Sequence, residues 1–163
     1  MLKKIAYVVT GVMLLLSSAN AEIVTQCYKS ESGLTQCNAH ESGVNVMNLD
    51  CTHGGNGSTS CIGNYTDKVA AKLGFNCTQD KKGNTSCQGK YSDGTSFVMS
   101  CSMPKSNNKL LCDIKDNQNE SMTLACLISE SGVPDCSAVD NDGTKYQIKC
   151  NGNPNESGSC VTE

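Results

Sequence analysis

Leu73-Gly74-Phe75-Asn76-Cys77-Thr78-Gln79-Asp80-Lys81-Lys82-Gly83-Asn84-Thr85-Ser86-Cys87 is the stretch that decides the fold. Leu73, Phe75 and Cys77 alternate with Gly74 and Asn76, the period of a strand with one wet face. Lys81-Lys82-Gly83 reads as a three-residue hairpin loop. Its last position needs a positive φ, which glycine adopts without steric cost. A turn centred there sets Cys77 opposite Cys87, so the cysteine belongs to the apolar face.

The same unit recurs on both sides. Cysteines fall at Cys27, Cys37, Cys51, Cys61, Cys77, Cys87, Cys101, Cys112, Cys126, Cys136, Cys150 and Cys160, with short gaps of 10 or 11 alternating with long gaps of 14 or 16. This is six copies of a unit of about 25 residues. Met47-x-Leu49, Phe97-x-Met99, Met122-x-Leu124 and Tyr146-x-Ile148 precede their cysteines as Leu73-x-Phe75 does; Ile23-x-Thr25 is a weaker version. Gly33, Gly57 and Gly132 stand where Gly83 stands, six residues after the first cysteine. The fourth unit substitutes Asn107-Asn108, and the last, Pro154-Asn155-Glu156-Ser157-Gly158, shifts its glycine by two. Asp93-Gly94 and Asp142-Gly143 mark further hairpin turns in the long gaps. Thr66 to Leu73 is the one helix-tolerant stretch.

These signals predict an all-β, disulfide-stapled meander of about six β-hairpin repeats. A one-sided sheet must bury its apolar face. Two packed sheets achieve this, as do two smaller halves or a tandem hairpin stack. A single twelve-strand barrel is expected to have a lumen too wide for these side chains to fill.

An even number of cysteines in a thin-cored, turn-rich chain reads as six disulfides. No CxxC pair or Cys/His cluster at zinc spacing competes with that reading. The simplest pairing keeps each bridge inside its hairpin: 27–37, 51–61, 77–87, 101–112, 126–136 and 150–160. The alternative shifts by one, joining 37–51 and onward, with Cys27 closing on Cys160.

Residues 1–21 read as a secretory signal peptide: Lys3 and Lys4, an apolar run from Ile5 to Leu16, then Ala19-Asn20-Ala21 as the cleavage site. Residues 22–163 are then the cysteine-rich β-repeat domain, secreted or periplasmic and not inserted in a membrane. Cleavage removes two lysines and no acid, taking the formal charge from −3 to −5. The chain has no arginine. Nucleic-acid binders lean on arginine and positive charge, so nucleic acid is not an expected partner.

Candidate chemistry is sparse. His53-Gly54-Gly55 has the donors of an oxyanion hole but no nucleophile elbow, and its glycines suit a turn. His40 and His53 are expected as solvated loop residues without catalytic partners. Asp140-Asn141-Asp142-Gly143 opens like a calcium loop but lacks the glutamate at its end, so a hairpin turn is expected. With every cysteine in a bridge, no thiol nucleophile remains. Tyr91 and Tyr146 share the cysteine face and belong to the core; Tyr28 has the opposite parity and is the exposed aromatic candidate. No cofactor is implied. The expected function is a non-catalytic binding module that recognises a protein or glycan surface through its polar hairpin turns. The alternative is a secreted effector acting as a toxin or enzyme inhibitor.

Overall fold

The structure, a computed structural model, describes residues 22–66, 72–103, 108–153 and 157–162. The signal-peptide segment, most of the helix-tolerant stretch and the turn residues Asn107 and Pro154 to Glu156 lie outside them. Twelve strands follow one another: β1 (Ile23–Lys29), β2 (Thr35–Glu41), β3 (Val44–His53), β4 (Ser58–Tyr65), β5 (Lys72–Gln79), β6 (Thr85–Tyr91), β7 (Ser96–Ser102), β8 (Lys109–Asp116), β9 (Ser121–Ile128), β10 (Pro134–Asp140), β11 (Lys145–Asn153) and β12 (Ser157–Thr162). Each pairs antiparallel with its sequence neighbours, and β1 pairs with β12. The turns form as the glycines predict: Gly33, Gly57, Gly83 and Gly132 all have positive φ.

The meander therefore closes into one twelve-strand barrel. It is neither two packed sheets nor a hairpin stack. The physical reason lies in its edges. A sandwich of these strands leaves β1 and β12 with unpaired backbone groups, whereas closure pairs them from Ile23–Thr162 to Tyr28–Ser157. The six bridges stay within hairpins, linking Cys27–Cys37, Cys51–Cys61, Cys77–Cys87, Cys101–Cys112, Cys126–Cys136 and Cys150–Cys160. Their Cα atoms are 4.0–4.1 Å apart, near the ~4.5 Å of directly opposed, non-hydrogen-bonded pairs.

Register sets the shape. Cys37 faces Leu49, two residues short of Cys51. The same two-residue offset recurs between hairpins at Cys61–Phe75, Cys87–Met99, Cys112–Leu124, Cys136–Ile148 and Cys160–Thr25. Two residues at each of six junctions give a shear of twelve for twelve strands, and a uniform offset places all six cystines at one level. The barrel carries a belt of disulfides with near-sixfold repetition.

The expected wide lumen is filled by the way neighbouring side chains complement one another. The layer beside the belt pairs Leu49 with Gly63, Phe75 with Gly89, Leu124 with Ala138, Ile148 with Thr162 and Thr25 with Ala39. A large residue stands opposite a small one in most hairpins and leans over it. A Cβ added at Gly89 would lie 2.1 Å from Cζ of Phe97 and 2.8 Å from Cβ of Phe75. Met99 opposite Ile114 is the exception. Phe75, Phe97, Tyr91 and Tyr65 form a chain of rings with centroids 6.1–6.3 Å apart. The inward residues make one contiguous buried cluster that includes eleven of the twelve cysteines, with Cys150 half-buried against it. Outward positions are mostly Asn, Gln, Ser, Thr, Lys and Asp, with apolar exceptions such as Ile62 and Leu127. A membrane-spanning barrel needs the reverse polarity. Six disulfides of this kind are typical of an extracellular or oxidising compartment.

Candidate functional site

The within-hairpin turns leave one end of the barrel and the between-hairpin turns the other, so the polar turns do not gather into a single surface. Their side chains are largely committed to their own loops. The Asp80 carboxylate accepts from the Asn84 amide, then from the backbone N–H of Asn84 and Lys82, which holds its carboxyl below the usual carboxylate range. Asp140 accepts from the Tyr146 hydroxyl at 2.9 Å and from the Thr144 N–H, while Asp142 takes the Thr144 hydroxyl at 2.6 Å and the same N–H. Gly143 has φ +88°. The calcium-like tetrapeptide is thus a hairpin turn whose carboxylates are spent on the turn itself.

His53 departs from expectation. It is strand-borne, at the end of β3, with the parity of Cys51, and it is half-buried. Its Nε2 lies 2.8 Å from the Thr35 hydroxyl and its Nδ1 3.0 Å from the Thr59 hydroxyl. Both threonines are buried. The ring therefore ties β2, β3 and β4 together at the barrel end. The sequence signal was its place two residues past Cys51, in line with the inward face. His40 lies on β2, half-buried, beside the bulge between β2 and β3. The two histidines are not brought together. Tyr91 and Tyr146 face inward as their parity predicts, and burial, then the neighbouring Tyr65, pushes the Tyr91 hydroxyl far above its ordinary pKa.

Among the described aromatic residues, Tyr28 is the one left outside, 43% exposed on β1. It borders a groove of about 390 Å³ across the seam where β1 meets β12. Gln26, Ser157 and Ser159 flank it on the two seam strands, and Asn151 reaches in from β11. The groove exists because the last hairpin breaks the repeat. Hairpins two, three and five place His53 and Thr59, Gln79 and Thr85, and Ile128 and Pro134 at the layer beyond the belt. The last places Gly152 opposite Gly158 there. Gly152 has φ +95°, and a Cβ on it would come within 2.6 Å of the Ser157 carbonyl oxygen. The shifted glycine of the last unit was the sequence signal for this spot.

None of the described residues lining the groove carries a charge. It offers one aromatic face, two carboxamides and two hydroxyls, with no carboxylate or imidazole to move a proton. Such a set can hold a polar ligand by stacking and hydrogen bonds. Neither a protein-family model, nor a curated protein, nor a solved structure matches the chain.

Proposed function

We propose that this chain is a non-catalytic glycan-binding module working outside the cytoplasm, secreted or periplasmic. The observation that carries the reading is the uncharged seam groove with an exposed tyrosine between carboxamides and hydroxyls. A sugar presents an apolar C–H face and a rim of hydroxyls that both donate and accept. Tyr28 suits the first, and Gln26, Asn151 and Ser159 suit the second, because carboxamides and hydroxyls also donate and accept. A neutral groove favours neutral sugars, since a charged ligand loses its hydration there without gaining a counter-charge. Nucleic acid fits poorly with a net-negative chain that lacks arginine.

The test is an array of neutral and anionic glycans probed with the oxidised protein and its Tyr28→Ala and Tyr28→Phe variants. Binding is expected on neutral glycans, reduced about tenfold or more by Tyr28→Ala and largely kept by Tyr28→Phe. A single protein partner captured equally well by Tyr28→Ala, with no glycan bound, would overturn the reading and favour the effector or inhibitor alternative.

A further inference from the structure

We propose that the β1–β12 seam is a gate. In the native, oxidised protein the ring opens at this joint ahead of every other, and opening dismantles the groove beside Tyr28. The bearing on binding rests on the glycan reading above; the opening itself does not.

The first observation is covalent. Of the twelve joints in the ring, eleven join strands that follow one another in the chain, and six of those also carry a cystine. A connecting chain holds separated strands at a high effective concentration, which favours re-pairing. At the seam β1 and β12 share only their residue pairs, from Ile23–Thr162 to Tyr28–Ser157.

The second observation is packing. At the other junctions between hairpins a cysteine faces Leu49, Phe75, Met99, Leu124 or Ile148. At the seam Cys160 faces Thr25. One level on, Cys126 faces Leu110 in the β8–β9 joint, whereas Cys27 faces Gly158 in the seam. The seam therefore buries less apolar surface than its counterparts. Thr25 adds a cost of its own. It is 2% exposed, and its Oγ1 has no hydrogen-bond partner among the described residues. An unmatched buried hydroxyl is penalised in the closed ring, and opening returns it to water.

The Cys27–Cys37 bridge keeps β1 on β2, and Cys150–Cys160 keeps β12 on β11. Opening thus separates two intact hairpins and unravels neither. The groove draws Gln26 and Tyr28 from one side of the joint and Ser157 and Ser159 from the other, so it exists only while the seam is shut.

Amide hydrogen exchange of the oxidised protein, followed by NMR, tests the gate without a ligand. Cys27 and Cys37 form a non-hydrogen-bonded pair, so the N–H groups of Thr25 and Cys27 point to β12 and that of Gln26 to β2. The Thr25, Cys27 and Cys160 amides are expected to exchange about tenfold faster or more than those of Phe75 and Leu124, their counterparts at other joints, with Gln26 still protected. A bridge made by Val24→Cys with Val161→Cys, a directly opposed pair across the seam, should bring them level. Thr25→Val, which removes the unmatched hydroxyl, should slow them about fivefold. Seam amides as slow as those of Phe75 and Leu124, and unmoved by Thr25→Val, overturn the gate and leave the glycan reading standing. Gln26 exchanging as fast as Thr25 also overturns it, because that is fraying of the chain end. Fast seam amides in a protein that binds no glycan keep the gate and overturn only the glycan reading.

Discussion

Gly89→Ala isolates the packing that fills the barrel. Gly89 faces inward on β6 between Phe75 and Phe97, and its φ lies outside the left-handed region. The backbone therefore accepts alanine, and the unfolded chain loses entropy, a gain of about 0.4–1 kcal/mol. Against it stands the new methyl, 2.1 and 2.2 Å from Cζ and Cε1 of Phe97 and 2.8 Å from Cβ of Phe75. The Phe97 ring can tilt, but Phe75 Cβ is fixed to its strand, so relief requires wall movement. Overpacking of this kind costs about 1–3 kcal/mol, leaving a net loss of about 1–2 kcal/mol. Gly74→Ala is the matched control: it sits on β5 with no atom within 4 Å of its added Cβ, and it is expected to gain about 0.4–1 kcal/mol. Urea unfolding with the bridges intact measures both. The double variant Gly89→Ala with Phe97→Leu should cost less than the two single losses summed, with a coupling of about 0.5–3 kcal/mol. A Gly89→Ala protein as stable as the wild type, with no coupling to position 97, would refute the large-over-small account of the core.

Three further outcomes are expected. Thr25 is buried opposite Ala39, and its hydroxyl has no hydrogen-bond partner among the described residues, so Thr25→Val should raise stability by about 1 kcal/mol; a loss in urea unfolding would mean that the hydroxyl has a partner in solution. Replacing Cys77 and Cys87 together by alanine opens a loop with a sequence separation of 10 and should cost about 2–3 kcal/mol by the same assay; a cost near zero would show that strand pairing alone holds the wall. The Thr144 hydroxyl, then Asp140, lower the Asp142 pKa to about 2 from 3.8. A depressed carboxylate stabilises the fold above its ordinary pKa, and that contribution fades as pH falls toward 2. Asp142→Asn should therefore flatten the acid-side fall in melting temperature over that window, and parallel curves for the two proteins would contradict it.

The hairpins were legible because their signals are local. Alternation around Leu73-x-Phe75-x-Cys77, and a glycine fixed at one offset, determine strand, face, turn and bridge without reference to distant residues. Closure was not legible, because it depends on the two-residue offset between hairpins and on β1 meeting β12, residues 129 to 139 apart in sequence. Strand number alone makes the lumen too wide, because it takes no account of Gly63 and Gly89. They are the space into which Leu49 and Phe97 lean. His53 reads as a loop residue because Gly54 and Gly55 follow it, while its bonds to Thr35 and Thr59 depend on the register of β2 and β4 on either side of β3. Tyr28 was found by parity alone. The groove beside it was visible only as a misplaced glycine.

Because every cystine closes within its own hairpin, oxidation can follow the chain as it emerges. Each cysteine meets its native partner ten or eleven residues later, before the next hairpin exists to offer a wrong one, and the short loop keeps that encounter favoured. The order of assembly is then written into the order of the chain, with ring closure last. The final joint, between β1 and β12, is bound by neither a turn nor a cystine. It is the place where the finished ring can part without a covalent bond breaking, and a ligand seated across Tyr28 and Ser159 would act there as a clasp.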